Sequence, residues 1–143
     1  MSQWNNGKGI DIESWLMCMG NFELAVAFGW LFWPQFKIHD DCILAVDIDL
    51  STYQLFLKEA NGNKQFVESR ANHLCLVDLF HQDVAKPSDA LLFHLGELLQ
   101  DAWGCKLIRD FPDRKITVPF TESGGDFMIT AYQERGVQNQ DSE

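Results

Sequence analysis

The stretch KITVPFTESGGDFMITAY, residues 115–132, decides the fold class that the sequence predicts. Apolar and polar residues alternate over 115–120 and again over 127–132, which is typical of two strands that each bury one face. Residues 122–126 read ESGGD and supply the turn between the strands. Pro119 has no amide proton for a neighbouring strand, so we expect its strand to lie at a sheet edge or to carry a bulge. The stretch therefore predicts a C-terminal antiparallel β-hairpin.

A long helix is predicted immediately before this hairpin. Ser88 and Asp89 follow Pro87 as a start signal, and the helix is expected to end near Arg109, before Pro112. An isolated hairpin is marginal in water, so it should pack on this helix, and an apolar run near residue 43 or 75 should add a third strand. The predicted apolar stripe of the helix consists of Leu91, Leu95, Leu98, Leu99, Ala102 and Trp103. Gly96 and Gly104 lie inside the helix, where they would let another element approach closely.

Upstream residues predict four shorter helices, over 12–19, 22–32, 51–60 and 64–71. Residues 35–41 look like a polar connection, 42–48 favour a strand, and 73–80 fit either a buried strand or a helical turn. Together these elements predict a helix-rich α+β fold in which the C-terminal hairpin forms part of a small sheet packed on helices. The expected organisation is a single domain over residues 1–133, followed by a flexible tail over 134–143, which lacks apolar content.

The composition is acidic, with 21 Asp and Glu against 11 Lys and Arg and a formal net charge of -10. Such a charge repels nucleic-acid phosphates and attracts a basic protein surface, although it also serves solubility. The N-terminal residues lack an apolar signal core, and no apolar run is long enough to cross a bilayer, so we expect a cytoplasmic protein without a membrane. The widely spaced Cys18, Cys42, Cys75 and Cys105 predict buried free thiols.

No short catalytic or cofactor-binding motif is present, so the sequence assigns no catalytic residue, no cofactor and no metal, and it favours a binding protein over an enzyme. Asp47 and Asp49 provide the main alternative. On a strand they would project from one face, as carboxylates that hold Mg²⁺ or Ca²⁺ do. Asp49 could equally cap the helix that follows it. The alternative function is then a metal-dependent enzyme that uses Asp47 and Asp49.

Aromatic residues are concentrated just after residue 20, in a helix that is apolar on nearly every side. A helix of this kind is either central to the core or partly buried in a partner. The second interpretation predicts a docking surface for a basic protein, in which aromatic anchors lie beside negative charge. Its predicted residues are Trp30, Trp33, Phe36, Asp40, Asp41, Asp47 and Asp49. A small-ligand pocket lined by Trp and Phe is a further alternative.

In size, acidity and lack of catalytic motifs the chain is similar to many small bacterial immunity and inhibitor proteins, and the similarity rests on composition alone. The expected function is therefore that of a small cytosolic binding protein: an immunity protein, an inhibitor, or an accessory subunit of a larger complex.

Overall fold

A computed structural model describes residues 11–80 and 85–136, and it confirms the α+β fold. The helices are α1 (Ile12–Met19), α2 (Phe22–Phe32), α3 (Leu50–Glu59), α4 (Lys64–Ala71) and α5 (Asp89–Asp110). The strands are β1 (Phe36–His39), β2 (Cys42–Ala45), β3 (Leu74–Cys75), β4 (Ile116–Thr117), β5 (Phe120–Ser123), β6 (Asp126–Ile129) and β7 (Tyr132–Gln133). The five helices match the predicted ones to within a residue at each end.

The chain divides into two compact units, Met1–Leu31 and Phe32–Glu143. The sequence prediction of one domain over 1–133 stays a prediction. In the first unit the side chain of Asp11 caps α1 by accepting a hydrogen bond from the Ser14 amide at 2.9 Å. Asn21 caps α2 in the same way, through the Leu24 amide at 2.7 Å. Polar caps at both starts explain why two helices follow each other so closely.

The second unit opens with a hairpin that the sequence did not predict. Residues 35–41 were expected to be a polar connection, and this was wrong, since β1 pairs with β2 in antiparallel register from Phe36 opposite Ala45 to His39 opposite Cys42. Asp40 and Asp41 form the tight turn, with φ angles of 50° and 64°. Two consecutive left-handed residues fit the right-handed twist of a hairpin, and Asp tolerates that region better than most residues.

A first core cluster lies between this hairpin and the next two helices. β2 contributes Cys42 and Leu44, α3 contributes Tyr53, and α4 contributes Val67 and Ala71. Gly62 has a φ of 80° and lets the chain reverse between α3 and α4, as the Asn-Gly-Asn sequence predicted.

The predicted C-terminal hairpin is confirmed. β5 pairs with β6 around a turn at Gly124 and Gly125, whose φ angles are 61° and 89°. β3 adds the third strand on the other side of β6, which confirms the expectation for the run near residue 75. Residues 73–80 thus contain both predicted forms, a two-residue strand and then a short 3₁₀ turn over Leu76–Asp78. Pro119 lies between β4 and β5, where it interrupts the pairing.

The hairpin packs on α5 through the aromatic ring of Phe120. A Cβ at Gly96 would lie 2.0 Å from Cζ of that ring, so only glycine permits this approach, as predicted. Gly104 has open space where a Cβ would be, and it permits no such contact. Phe93 and Phe127 complete the aromatic cluster, with ring centroids 4.9 Å apart in an edge-to-face arrangement.

The predicted stripe of α5 is only partly correct. The helix is buried along Leu92, Gly96, Leu99, Trp103 and Leu107, whereas Leu91 and Leu98, two members of the predicted stripe, are exposed. The prediction merged two neighbouring apolar sides of one helix. The expectation of four buried thiols was also wrong for Cys18 and Cys105, which are exposed; Cys42 is buried and Cys75 is intermediate.

Candidate protein-binding surface

Exposed apolar side chains cover α1 and α2. No residue of either helix is buried, although the two helices consist mainly of apolar residues. We call this set the α1–α2 surface; its large members are Ile12, Leu16, Met17, Met19, Phe22, Leu24, Val26 and Trp30. Phe22 is 90% exposed, Met17 80% and Trp30 75%. Single exposed apolar residues are ordinary, but so many on two consecutive helices are typical of a surface that binds something.

The charged side chains between positions 11 and 31 all have one sign. Asp11, Glu13 and Glu23 are its acidic residues between positions 11 and 31, and no Lys, Arg or His occurs there. All three lie at the N-terminal ends of their helices, where the helix dipole favours a carboxylate. Hydrogen bonds from the amide and hydroxyl of Ser14 hold the pKa of Asp11 below its usual value, so this carboxylate is charged at neutral pH. The α1–α2 surface is therefore apolar with a negative fringe.

The three predicted aromatic anchors occupy different surroundings. Trp30 is among the most exposed residues of α2. Trp33 is 40% exposed, and the ammonium group of Lys106 lies 6.0 Å from its ring centroid, at the limit of a cation–π contact. Phe36 packs edge-to-face on Trp103 with centroids 5.9 Å apart, so it belongs to the packing of α5. Among these three anchors Trp30 offers the most surface to a partner.

Asp40 and Asp41, predicted as docking acids, have partners within the chain. The hydroxyl of Tyr53 donates to Asp40 at 2.6 Å, and the Lys64 ammonium lies 3.3 Å from the same carboxylate. These contacts lower the pKa of Asp40, and burial followed by the hydrogen bond to Asp40 raises the pKa of Tyr53. Asp41 forms ion pairs with Arg114 and Arg135, and these contacts lower the pKa of Asp41. The two carboxylates thus fasten the β1–β2 turn to its neighbours.

Asp47 and Asp49 do not share a strand face, because β2 ends at Ala45. Asp49 caps α3, accepting a hydrogen bond from the Thr52 amide at 2.7 Å, and its pKa is lowered chiefly by that bond. The capping role is the alternative to metal binding that the sequence predicted for Asp49. Asp47 is exposed and has no polar partner among residues 11–80 and 85–136. In that part of the chain, no three His, Cys, Asp or Glu side chains are grouped as metal ligands.

A buried carboxylate network is the main polar feature that the sequence did not reveal. Glu68 on α4 is fully buried and accepts hydrogen bonds from the amides of Ile43 at 2.9 Å and Gln133 at 2.8 Å. The side-chain amide of Gln133 also donates to it, and an Arg135 guanidinium nitrogen lies 3.1 Å away. Asn72 adds bonds to the carbonyls of Ile43 and Ala131, at 2.8 and 2.9 Å. The network ties α4 to both β2 and β7.

Glu134 and Arg135 belong to the segment that the sequence assigned to a flexible tail. Glu134 forms an ion pair with Lys115 at 2.6 Å, and Arg135 reaches both Asp41 and Glu68. The rest of that segment, 137–143, lies outside the described residues.

A cavity of about 700 Å³ lies beside this network, and its lining is polar. Lys64 and Arg135 bring positive charge to it, and Asp41 brings negative charge. Lys64 forms an ion pair with Asp40. Asp41 pairs with Arg114 and Arg135, and Arg135 also pairs with Glu68, so the charges around the cavity are balanced within the protein. The cavity therefore has neither the aromatic lining predicted for a small-ligand pocket nor a surplus charge.

Within residues 11–80 and 85–136, no single helix has the length and apolar character needed to cross a membrane. α1 and α2 meet those two conditions only when taken together, and they are bent by 118° at their junction.

No protein-family model, curated protein or solved structure matches this chain. A function for the chain therefore has to be inferred from the shape and chemistry of the α1–α2 surface.

Proposed function

We propose that this protein works by binding another protein, and that the α1–α2 surface carries the contact. The observation behind the proposal is that two consecutive apolar helices contain no buried residue. Covering such a surface removes apolar area from water, which stabilises a complex by about 25 cal/mol per Å² before the entropy of association is subtracted. Large exposed apolar side chains of this kind, Trp in particular, commonly dominate binding energy in interfaces.

The charge of the surface indicates what kind of protein it binds. With three carboxylates and no cation between residues 11 and 31, and a net charge of -10 on the chain, the surface attracts Lys and Arg. The partner is thus a protein that presents apolar pockets rimmed by basic residues. Blocking or scaffolding such a partner is the action of an immunity protein, an inhibitor or an accessory subunit. The same charge disfavours an anionic lipid surface, which attracts cationic segments.

Site-specific photo-crosslinking in the native host tests this proposal. A photoreactive residue at position 22 or 30 should capture one protein, and the same group at Ile108, an apolar position on α5 that is 70% exposed, serves as the control. With the purified pair, Trp30→Ala should weaken binding at least tenfold, a typical hot-spot effect. Ile108→Ala should leave it unchanged. Because the attraction is partly electrostatic, binding should weaken as salt rises.

Charge provides a second matched comparison. Glu13→Lys should weaken binding more than Glu97→Lys, which makes the same change on the exposed side of α5. The proposal is refuted if positions 22 and 30 capture no protein above the Ile108 control. It is equally refuted if the purified chain binds neutral lipid vesicles through Trp30, because the bent pair of helices would then serve a membrane.

A further inference from the structure

The long helix α5 has a second apolar side that is largely exposed. Its buried side faces the C-terminal hairpin and the core. About 120° around the helix, at 3.6 residues per turn, lies another row of apolar residues. We call this row the second stripe; it consists of Leu91, Leu95, Leu98, Ala102 and Cys105. Leu91 is 56% exposed, Leu98 is 46% exposed and Cys105 is exposed, while the other two are partly buried.

The spacing of the second stripe is that of a helix-pairing seam. Its members follow one another at intervals of four and three residues, the alternation that keeps a seam on one side of a helix. At about 1.5 Å per residue the stripe is about 21 Å long, enough for three layers of contact with another helix. A surface helix needs only one apolar stripe, and α5 already buries its own. The second stripe therefore requires a separate explanation.

The order of residues along the stripe is symmetric about its centre. Leu91 and Cys105 lie seven residues before and after Leu98. When two copies of α5 cross in opposite directions at Leu98, Leu91 of each copy meets Cys105 of the other. This self-complementarity favours a second copy of the same chain as the occupant.

The polar residues beside the stripe show the same symmetry. His94 and Asp101 lie on one flank of the stripe, four residues before and three residues after Leu98. In an antiparallel pair that flank faces itself with its direction reversed. His94 of one copy then lies within about 1.5 Å, along the axis, of Asp101 of the other, and the pair forms twice. A parallel pair would turn this flank away from its equivalent. Within the described residues neither side chain has a hydrogen bond or an ion pair, so both are free to make this contact.

We propose that the second stripe of α5 is a self-association surface, on which two copies of this chain pair antiparallel about Leu98, with reciprocal His94–Asp101 contacts. The pairing is independent of the α1–α2 surface. It also has the opposite response to salt. Two chains of charge -10 repel each other, so salt strengthens the pairing by screening, whereas salt weakens attraction to a basic partner.

Cysteine cross-linking tests the axis of the pair. In a background with Cys18→Ser and Cys105→Ala, which keeps the stripe apolar, Leu98→Cys should form a disulfide-linked dimer under mild oxidation, because position 98 meets itself across the axis. Ile108→Cys in the same background is the matched control, since it is exposed on α5 but lies ten residues beyond Leu98, so the two copies of position 108 are about 30 Å apart along the axis of the antiparallel pair. The pairing is overturned if the chain sediments as a monomer up to submillimolar concentration and Leu98→Cys cross-links no better than Ile108→Cys.

Charge reversal tests the orientation of the pair. Asp101→Lys should weaken dimerisation about tenfold because it removes the carboxylate acceptor from both His94–Asp101 contacts. Asp113→Lys alters the net charge equally at an exposed site outside α5, and it should strengthen the dimer slightly by lowering repulsion. Adding His94→Asp to Asp101→Lys should restore the affinity. If Asp101→Lys behaves like Asp113→Lys, or if the double variant is not rescued, the antiparallel arrangement is wrong. Capture of a partner through positions 22 and 30 should be unaffected by Asp101→Lys.

Discussion

Replacing Glu68 by alanine is the most informative test of the folded structure. The carboxylate of Glu68 is fully buried, and it accepts hydrogen bonds from two backbone amides, those of Ile43 and Gln133. It also receives the side-chain amide of Gln133 and pairs with Arg135. Glu68→Ala removes all four acceptor contacts and leaves their donors facing a cavity.

The size of the effect follows from the partners. Each buried backbone amide left without an acceptor costs about 1–3 kcal/mol. Loss of one member of a buried ion pair costs about 3–5 kcal/mol. Arg135 is 28% exposed and retains Asp41, so its contribution lies at the low end of that range. Water can enter the space, so these contributions are not simply additive. A total loss of about 4 kcal/mol in the free energy of unfolding is expected, a large share of the 5–15 kcal/mol usual for a domain.

Equilibrium unfolding in urea, followed by far-UV circular dichroism, measures this loss. Glu59→Ala is the matched control, because Glu59 pairs with Arg70 on the surface and such pairs contribute about 0–1 kcal/mol. Glu68→Gln keeps the shape but presents an NH₂ group where an acceptor is needed, so it should lose about half as much and remain foldable. If Glu68→Ala and Glu59→Ala cost the same, within about 0.5 kcal/mol, the network does not stabilise the fold as argued.

Three other outcomes follow from the same structure. Gly96→Ala should lower the free energy of unfolding in urea by about 2–3 kcal/mol, because the added methyl group meets the ring of Phe120. Gly104→Ala should instead stabilise α5 by up to about 1 kcal/mol. Equal effects of the two substitutions would show that the close approach at Gly96 is unimportant. Two arginine partners lower the pKa of Asp41, so its stabilisation is present above the ordinary Asp pKa of about 3.9 and is lost as the pH falls through the lowered value. Asp41→Asn should therefore flatten the acid limb of stability against pH, and an unchanged limb would contradict the ion pairs. In a thiol titration of dilute native protein, Cys105 should react at once, whereas Cys42 should react only on unfolding. The reason is that Cys42 is buried and that burial raises the pKa of its thiol. Rapid reaction of Cys42 in the native protein would place it outside the core.

Local signals in the sequence were sufficient for most of the fold. Caps such as Asp11 and Asn63 and the left-handed Gly62 determine where helices begin and end through contacts a few residues away. The Gly-Gly turn likewise fixes the C-terminal hairpin. β1 was missed because its alternation covers only four residues and ends in Asp40, which looks polar until its left-handed φ is known.

The candidate surface was harder to predict. The apolar character of α2 was visible, but only the structure shows that α1 is exposed with it, since periodicity cannot distinguish a core helix from an uncovered one. Asp40, Asp41 and Asp49 were grouped by their proximity in sequence, yet their partners Tyr53, Arg114 and Thr52 are set by tertiary or capping contacts. The two sides of α5 were merged because Leu98 and Leu99 are adjacent, although one is exposed and the other buried.

The position of Glu68 also bears on how the chain matures during synthesis. Two of its four donors come from Gln133, 65 residues later. At a translation rate of about 5–20 residues per second, those donors are made about 3–13 s after Glu68. Until then the carboxylate must stay hydrated, and α4 cannot settle fully onto β2. A nascent or truncated chain that stops before residue 133 should thus hold α3, α4 and the β1–β2 hairpin in a loose state, and this state would be the natural target for chaperones and proteases.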